Sequence, residues 1–102
     1  MSATEAVMRT AEARVATERA GRYLAQLCKH FEHKLPVTLG EAAGRIDFPF
    51  GHCDLRAQGE MLVLTAVAAD EAALDQVQDV IARHLLRFAF RDVLAVKWEP
   101  AA

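Results

Sequence analysis

Four ionisable side chains that can bind a metal or an anion lie within one short run of the sequence. The run contains Lys29, His30, His33 and Lys34. His30 and His33 are three residues apart, so on a helix they are neighbours on one edge, and two imidazoles at that spacing can share a metal ion. Cationic residues also suit the last turn of a helix, where they interact with the free carbonyls and the helix dipole. The run is a candidate ligand site, and ordinary helix-end chemistry is the alternative.

A second candidate site combines side chains from three predicted elements. Cys53 falls on the inward register of a strand, His84 lies towards the apolar stripe of a helix, and His30 borders the stripe of another helix. If all three face the interior, their pKa values are shifted, and a His₂Cys set suits a soft metal or a redox role. The alternative is a small buried hydrophobe at Cys53 and a hydrogen-bonded core histidine at His84. Together with His33, these are the predicted metal ligands.

Arginine recurs at every fourth position of the second predicted helix, at Arg83, Arg87 and Arg91. Such a stripe can bind a carboxylate, a phosphate or an anionic chelate through guanidinium hydrogen bonds, or it can be a solvated helix face. The predicted ligand-binding residues are the following basic side chains of both helices: Lys29, His30, His33, Lys34, Arg87 and Arg91.

The common catalytic and nucleotide-binding motifs are absent from the sequence. It contains no GxGxxG, GxxxxGK[ST], GxSxG, HExxH or CxxC, so the dinucleotide, P-loop, α/β-hydrolase and zinc-ribbon classes lose their usual support. An alternative is an enzyme in which the Cys53 thiol is the nucleophile and His84 or His30 is the general base. No catalytic residue is assigned, and a binding function is favoured over an enzymatic one.

Two sets of apolar side chains point away from the predicted core. Leu86 and Phe90 leave the apolar stripe of their helix, and Val63, Thr65 and Val67 lie on the second face of the sheet. An apolar strip on a wet surface favours a protein partner or a second copy of the chain. A homodimer is therefore predicted as an alternative to ligand binding.

Composition and charge exclude several classes of partner. The chain has 102 residues, a formal net charge of -2 and a pI of about 6.0, which argues against nucleic-acid binding. No apolar run reaches the ~20 residues that span a bilayer, and the first residues lack the apolar segment of a signal peptide. With two cysteines and no disulfide pattern, we expect a cytoplasmic protein without a membrane partner.

Hydrophobic periodicity predicts a mobile tail over residues 1–10 and one α+β domain over residues 11–100. The predicted order is β-α-β-β-β-β-α-β, an antiparallel sheet with both helices on one face, comparable to a helix-grip fold or half of a TATA-binding protein. Thr17 and Asp70 are the predicted N-caps, and Pro100 the predicted end of the last strand. The predicted strands cover residues 11–16, 37–39, 45–50, 52–57, 61–68 and 94–98, and the predicted helices cover 18–34 and 71–91.

Three stretches resemble one bacterial family, the domain of unknown function numbered twenty-two eighteen. They are residues 22–34, 44–48 and 83–91, and the likeness extends over about 13–98. The most specific parts are a Lys-His-aromatic-x-His-Lys pattern, with Phe31 as the aromatic residue, and a His-Leu-x-Arg-Phe pattern that begins at His84.

The resemblance implies a context but no activity. Members of the family are similar to domains found beside, or joined to, siderophore-interacting flavin reductases, so the implied context is iron. Iron or another transition metal is accordingly the candidate cofactor. This chain has no reductase segment, and the implied reductase would be a separate partner. The resulting hypothesis is an accessory domain of siderophore-iron uptake that binds a metal, a ferric chelate or a small anion. The alternative is a protein-interaction or homodimerisation module with no ligand of its own.

Overall fold

The computed structural model describes residues 8–101, and the predicted elements appear in it in the predicted order. Within those residues there are six strands and two helices. The elements are β1 (Arg9–Ala16), α1 (Ala20–Phe31), β2 (Val37–Leu39), β3 (Ala43–Phe48), β4 (Gly51–Gln58), β5 (Met61–Ala68), α2 (Glu71–Phe88) and β6 (Glu99–Ala101). Most of the tail predicted for residues 1–10 lies outside the described residues.

The described strands form a single antiparallel sheet in the order β2-β3-β4-β5-β1-β6. The predicted α+β fold is confirmed. β1 and β5 lie at its centre with β4, and β1 pairs along its whole length with β5, from Arg9↔Ala68 to Ala16↔Met61. The two-residue turn between β4 and β5 uses Gly59 at φ 59°, a conformation that glycine adopts without steric cost.

The core lies between the sheet and the two helices. Period-two alternation places every second strand residue on the helix side, and one row of paired residues crosses four strands there: Ile46, Cys53, Ala66 and Ala11. Burial of such apolar area is the main source of stability in a domain of this size. The fully buried large side chains include Leu24 and Leu27 of α1, Val77 and Ile81 of α2, and Leu55, Leu62 and Leu64 of the sheet.

Helix α1 begins two residues later than predicted, and Thr17 is not its N-cap. The Thr17 hydroxyl accepts a hydrogen bond from the Arg19 N–H at 3.0 Å, which closes a turn before the helix. The N-cap position is Arg19, which makes no side-chain capping bond. Thr17 is instead tied to the β4–β5 hairpin, since its N–H donates to the Glu60 carbonyl.

Both helices also end earlier than predicted. After Phe31 the chain turns, with the Leu35 N–H donating to the Phe31 carbonyl at 2.9 Å, so His33 and Lys34 lie beyond α1. Pro36 follows and prevents further helix. Helix α2 ends at Phe88, and Arg91 lies in the following turn. At its other end Asp70 is the N-cap as predicted, accepting from the Ala73 N–H at 2.8 Å.

The last strand is displaced from its predicted position. Residues 94–98 alternate between half-buried and exposed as the pattern predicts, and Leu94, Val96 and Trp98 pack against the core. They form no ladder, however, and β6 pairs with β1 only at residues 99–101, with Pro100 inside the strand. Pro100 is tolerated because β6 is an edge strand.

Strand β3 also differs in its limits, because Pro49 cannot donate to the ladder. The last pair of the β3–β4 hairpin is Phe48↔Gly51, with Pro49 and Phe50 in the turn. Phe50 was predicted to be part of the strand. Its ring still stacks on Phe48 at a centroid distance of 5.3 Å.

The second face of the sheet is lined by charged side chains. Val63 of the predicted apolar strip is only 2% exposed, because its cross-strand neighbours are Arg14 and Arg56, whose stems can cover apolar surface. Thr65 and Val67 are half-buried. The strip is therefore narrower and more covered than the sequence pattern indicates.

Candidate functional site

Helices α1 and α2 lie side by side in opposite directions, and the surface between them, called here the helix seam, collects most predicted site residues. At one end of the seam His30 of α1 meets His84 of α2. At the other end Arg19 and Tyr23 meet Asp92, just after α2. Residues far apart in the sequence are thereby aligned along one surface.

The first end of the helix seam holds a group of four rings, called here the histidine cluster: His30, Phe31, His84 and Phe88. The ring centroids of His30 and His84 are 4.8 Å apart. Phe31 contacts both imidazoles edge-on, at 4.9 Å from His30 and 5.0 Å from His84. Phe88 lies 5.4 Å from His30. Two imidazoles are thus held together against aromatic walls.

The hydrogen bond of His84 fixes its tautomer. Its Nδ1 lies 2.7 Å from the Val80 carbonyl one turn earlier in α2, and because a carbonyl can only accept, Nδ1 carries the hydrogen. The neutral ring therefore has its lone pair on Nε2, the nitrogen available to accept a hydrogen bond or bind a metal.

The surroundings of His30 disfavour its protonated form. Desolvation among the neighbouring rings lowers its pKa below the ordinary 6.5, and the positive charges of His84, Arg87, Lys34 and His33 lower it further. The residue is nevertheless exposed at the surface. A solvent-accessible imidazole with cationic neighbours is a site where an anion is stabilised.

The structure brings part of the predicted ligand set together. His33, Lys34 and Arg87 surround His30 closely enough to act on its charge. Lys29 is exposed on α1. Arg91 lies further along the helix seam, with its guanidinium carbon 5.3 Å from the centroid of the Phe90 ring.

The predicted cysteine ligand lies inside the core. Cys53 is fully buried, and burial raises the pKa of its thiol. Burial, together with the charge of Glu32, also raises the pKa of Cys28 to about 11. Both thiols stay protonated at neutral pH, a state that favours neither nucleophilic attack nor metal binding. Within residues 8–101, no three His, Cys, Asp or Glu side chains are grouped so that they could hold a metal ion.

The sequence patterns did not reveal a depression in the helix seam beside the histidine cluster. This arginine groove has a volume of about 440 Å³ and is lined by Arg19, Arg22, Tyr23, Gln26, Phe88, Phe90, Arg91 and Asp92. One signal for it exists in the sequence. Arg22, Gln26 and His30 follow at every fourth position, so they form one ridge of α1.

The lining of the arginine groove includes a hydrogen-bonded group centred on Asp92. Arg19 donates to both of its carboxylate oxygens, at 3.0 and 3.1 Å, and the Tyr23 hydroxyl donates to the same carboxylate. This hydrogen bond raises the pKa of Tyr23. Asp92 lies in the turn that follows α2, so these bonds attach that turn to α1.

Three large apolar side chains in and just after the last turns of α2 are exposed. Leu86 is 45% exposed, Phe90 75% and Val93 103%. The first two were predicted to point away from the core, and they do. Single exposed apolar residues are common, but here three occur within eight positions.

The fold and the seam define a class of protein: a small α+β domain whose antiparallel sheet carries two helices on one face, with clustered basic and aromatic residues between them. The chain belongs to the bacterial family described as "Uncharacterized protein conserved in bacteria (DUF2218)", which it matches over residues 12–99. The resemblance noted in the sequence is thereby confirmed at the level of the family.

A solved relative has the same fold. The NMR structure of PA4090 from Pseudomonas aeruginosa is 38% identical, with a TM-score of 0.78, and the match covers 91% of this chain and 97% of that one. A search of curated proteins finds no match. Among the described residues, neither helix has the length and apolarity needed to cross a membrane.

Proposed function

We propose that the domain is a non-catalytic accessory protein that binds a small anionic ligand, of the ferric-chelate kind, at the histidine cluster. The observation that carries the proposal is the contact between His30 and His84 across the helix seam. It presents two imidazoles on one accessible surface, with Lys34 and Arg87 nearby. Phe31 and Phe88 pack against the imidazoles and fix the positions of their rings.

The number of ligands favours a chelate over a bare metal ion. Two imidazoles supply at most two coordination positions, whereas transition-metal sites in proteins use three or four protein ligands. A metal that arrives already bound by an organic chelator needs only one or two further contacts, and its anionic chelator is matched by Lys34 and Arg87. The iron context implied by the sequence resemblance supports this ligand class.

The biological setting follows from the same resemblance and is part of the proposal. A cytoplasmic domain that holds a ferric chelate would present it to a separate siderophore-interacting reductase. Reduction weakens the hold of such chelators on iron, so the domain would act as a carrier or docking module beside the enzyme. It would need no catalytic residue of its own.

Binding of ferric citrate, measured by isothermal titration calorimetry, tests the proposal. The double variant His30→Gln with His84→Gln should bind it at least tenfold more weakly than the parent protein, because both contacts are lost. The matched control is His52→Gln, on the uncovered face of the sheet, which should leave the affinity unchanged. Circular dichroism confirms that each variant is folded. A folded double variant with the parent affinity would refute the histidine site.

A second candidate function is supported by the exposed apolar residues. Leu86, Phe90 and Val93 can pack against another protein or a second copy of the chain, as the sequence analysis also predicted. In that function the domain is an interaction or homodimerisation module, and Arg91, which lies over the Phe90 ring, helps to orient the partner.

A further inference from the structure

The arginine groove adjoins the histidine cluster but offers different chemistry. Phe88 belongs to both, since its ring contacts His30 and also lines the groove. The cluster supplies imidazoles, and the groove supplies guanidinium groups, an amide and a second aromatic ring. A ligand seated in the groove would therefore meet another set of contacts within reach of the cluster.

The arginines of the groove differ in whether a carboxylate already pairs with them. Arg19 makes two hydrogen bonds to the Asp92 carboxylate, and the charges of the two side chains neutralise one another. Among residues 8–101, no carboxylate lies within salt-bridge distance of Arg22 or Arg91. Their charges are available to a ligand, and the fixed fork of each guanidinium suits the two oxygens of a carboxylate.

The apolar component of the groove is planar. Phe90 is 75% exposed, which is costly for a ring of that size unless something covers it. The Arg91 guanidinium carbon lies 5.3 Å from its centroid, a cation–π arrangement that orients both groups. A flat ring can stack against Phe90 while its charged substituent reaches the guanidinium groups.

From this arrangement we infer that the arginine groove binds a planar aromatic carboxylate, held by Arg22 and Arg91 at the acid group and by Phe90 at the ring. Gln26 supplies an amide that can donate to or accept from a ring substituent. A volume of about 440 Å³ lies in the usual range for small-molecule sites. The inference rests on the proposed function, because it takes the groove to hold the organic part of the same chelate.

Three small probes separate the contributions of charge and ring. Benzoate carries both, cyclohexanecarboxylate carries the charge on a non-planar ring, and inorganic phosphate carries charge alone. Amide chemical-shift titrations by NMR should show benzoate binding at least threefold more tightly than cyclohexanecarboxylate, with shifts at Phe90 and Gln26. Equal affinities for benzoate and phosphate would overturn the assignment of an aromatic ligand.

Charge-removing variants test the groove itself. Arg22→Gln combined with Arg91→Gln should weaken benzoate binding at least tenfold. Arg83→Gln is the matched control, because Arg83 pairs with Asp79 at 2.9 Å on the exposed side of α2, and it should bind benzoate as the parent does. Unchanged benzoate affinity in the folded double variant would overturn the inference.

The two proposals fail differently. If the arginine double variant loses benzoate but His30→Gln with His84→Gln still binds ferric citrate normally, the groove stands and the histidine site falls. If the histidine double variant loses ferric citrate binding while the arginine double variant keeps the parent affinity for benzoate, the proposed function stands and the aromatic-carboxylate assignment falls.

Discussion

At the scale of single residues, the sequence identifies side-chain types well and their neighbours poorly. Periodicity places His30 and His84 beside the apolar stripes of their helices, and both lie there in the structure. Periodicity does not predict that the two rings are in contact, because the contact depends on the relative direction and stagger of α1 and α2. Cys53 was correctly predicted to point inward, and that burial keeps its thiol protonated.

Gly44 shows a residue requirement that pattern analysis did not detect. A Cβ at this position would lie 2.6 Å from the Cys28 sulfur and 3.3 Å from the Thr38 carbonyl oxygen. We expect Gly44→Ala to lower the free energy of unfolding by about 1–3 kcal/mol, the usual cost of overpacking, measured by urea denaturation. Adding Cys28→Ala should recover part of the loss, since it removes the nearest atom.

Gly40→Ala is the control for Gly44. A Cβ there has the Ala43 carbonyl oxygen as its nearest neighbour, at 3.5 Å, an ordinary contact, so stability should change little. If Gly44→Ala is as stable as Gly40→Ala, the close approach of α1 to β3 is not a constraint on this position.

At the scale of elements, the sequence predicts the order of helices and strands and misplaces several ends. Asp70 is the clear success, because its side chain makes the capping bond that its type and position predict. The prediction of Thr17 as an N-cap is wrong, because its hydroxyl accepts a hydrogen bond that closes a turn before the helix. Residues 94–98 have the alternating pattern of a strand, with Leu94, Val96 and Trp98 inward. A strand also needs hydrogen bonds to a neighbouring backbone, and here only residues 99–101 make them.

The attachment of the α2 end to α1 gives a prediction at this scale. Asp92→Ala removes the acceptor for Arg19 and for the half-buried Tyr23 hydroxyl, so it should destabilise the fold by about 1–3 kcal/mol. The exposed Asp79→Ala, which breaks the α2 surface pair with Arg83, should cost about 0.5 kcal/mol or less. Urea denaturation of both variants measures the difference.

Tyr23 supplies an independent readout of the same bond. It is the only tyrosine in the sequence, so ultraviolet absorbance during alkaline titration reports it alone. Its pKa is raised chiefly because the hydroxyl donates to Asp92, and Asp92→Ala should therefore lower that pKa. A pKa unchanged by the substitution would contradict the Tyr23–Asp92 bond.

At the scale of the whole molecule, ligand binding and self-association make different demands on the same region. Phe90 is exposed and also lines the arginine groove, so a dimer formed through Phe90 would restrict access to that groove. The sequence could predict that apolar residues are exposed, but not their position relative to the basic ones.

Sedimentation equilibrium distinguishes the two functions at this scale. If the domain is a ligand-binding monomer, dilute protein should sediment with the mass of one chain, 11.2 kDa, in both the parent and Phe90→Ser. If it is a homodimerisation module, the parent should sediment at twice that mass and Phe90→Ser should shift towards the monomer, because the substitution removes apolar interface area.

The most direct test of anion binding at the histidine cluster is the pKa of His30, measured by NMR titration of its ring protons and assigned with His30→Gln. Without ligand, the pKa should lie below the ordinary 6.5, because desolvation and the charges of neighbouring groups disfavour the proton. Saturating citrate should raise it, since a bound anion stabilises the imidazolium, and by linkage protonation of His30 should strengthen the binding of a given citrate species. A His30 that titrates at its ordinary pKa, and does not respond to citrate, would contradict the account.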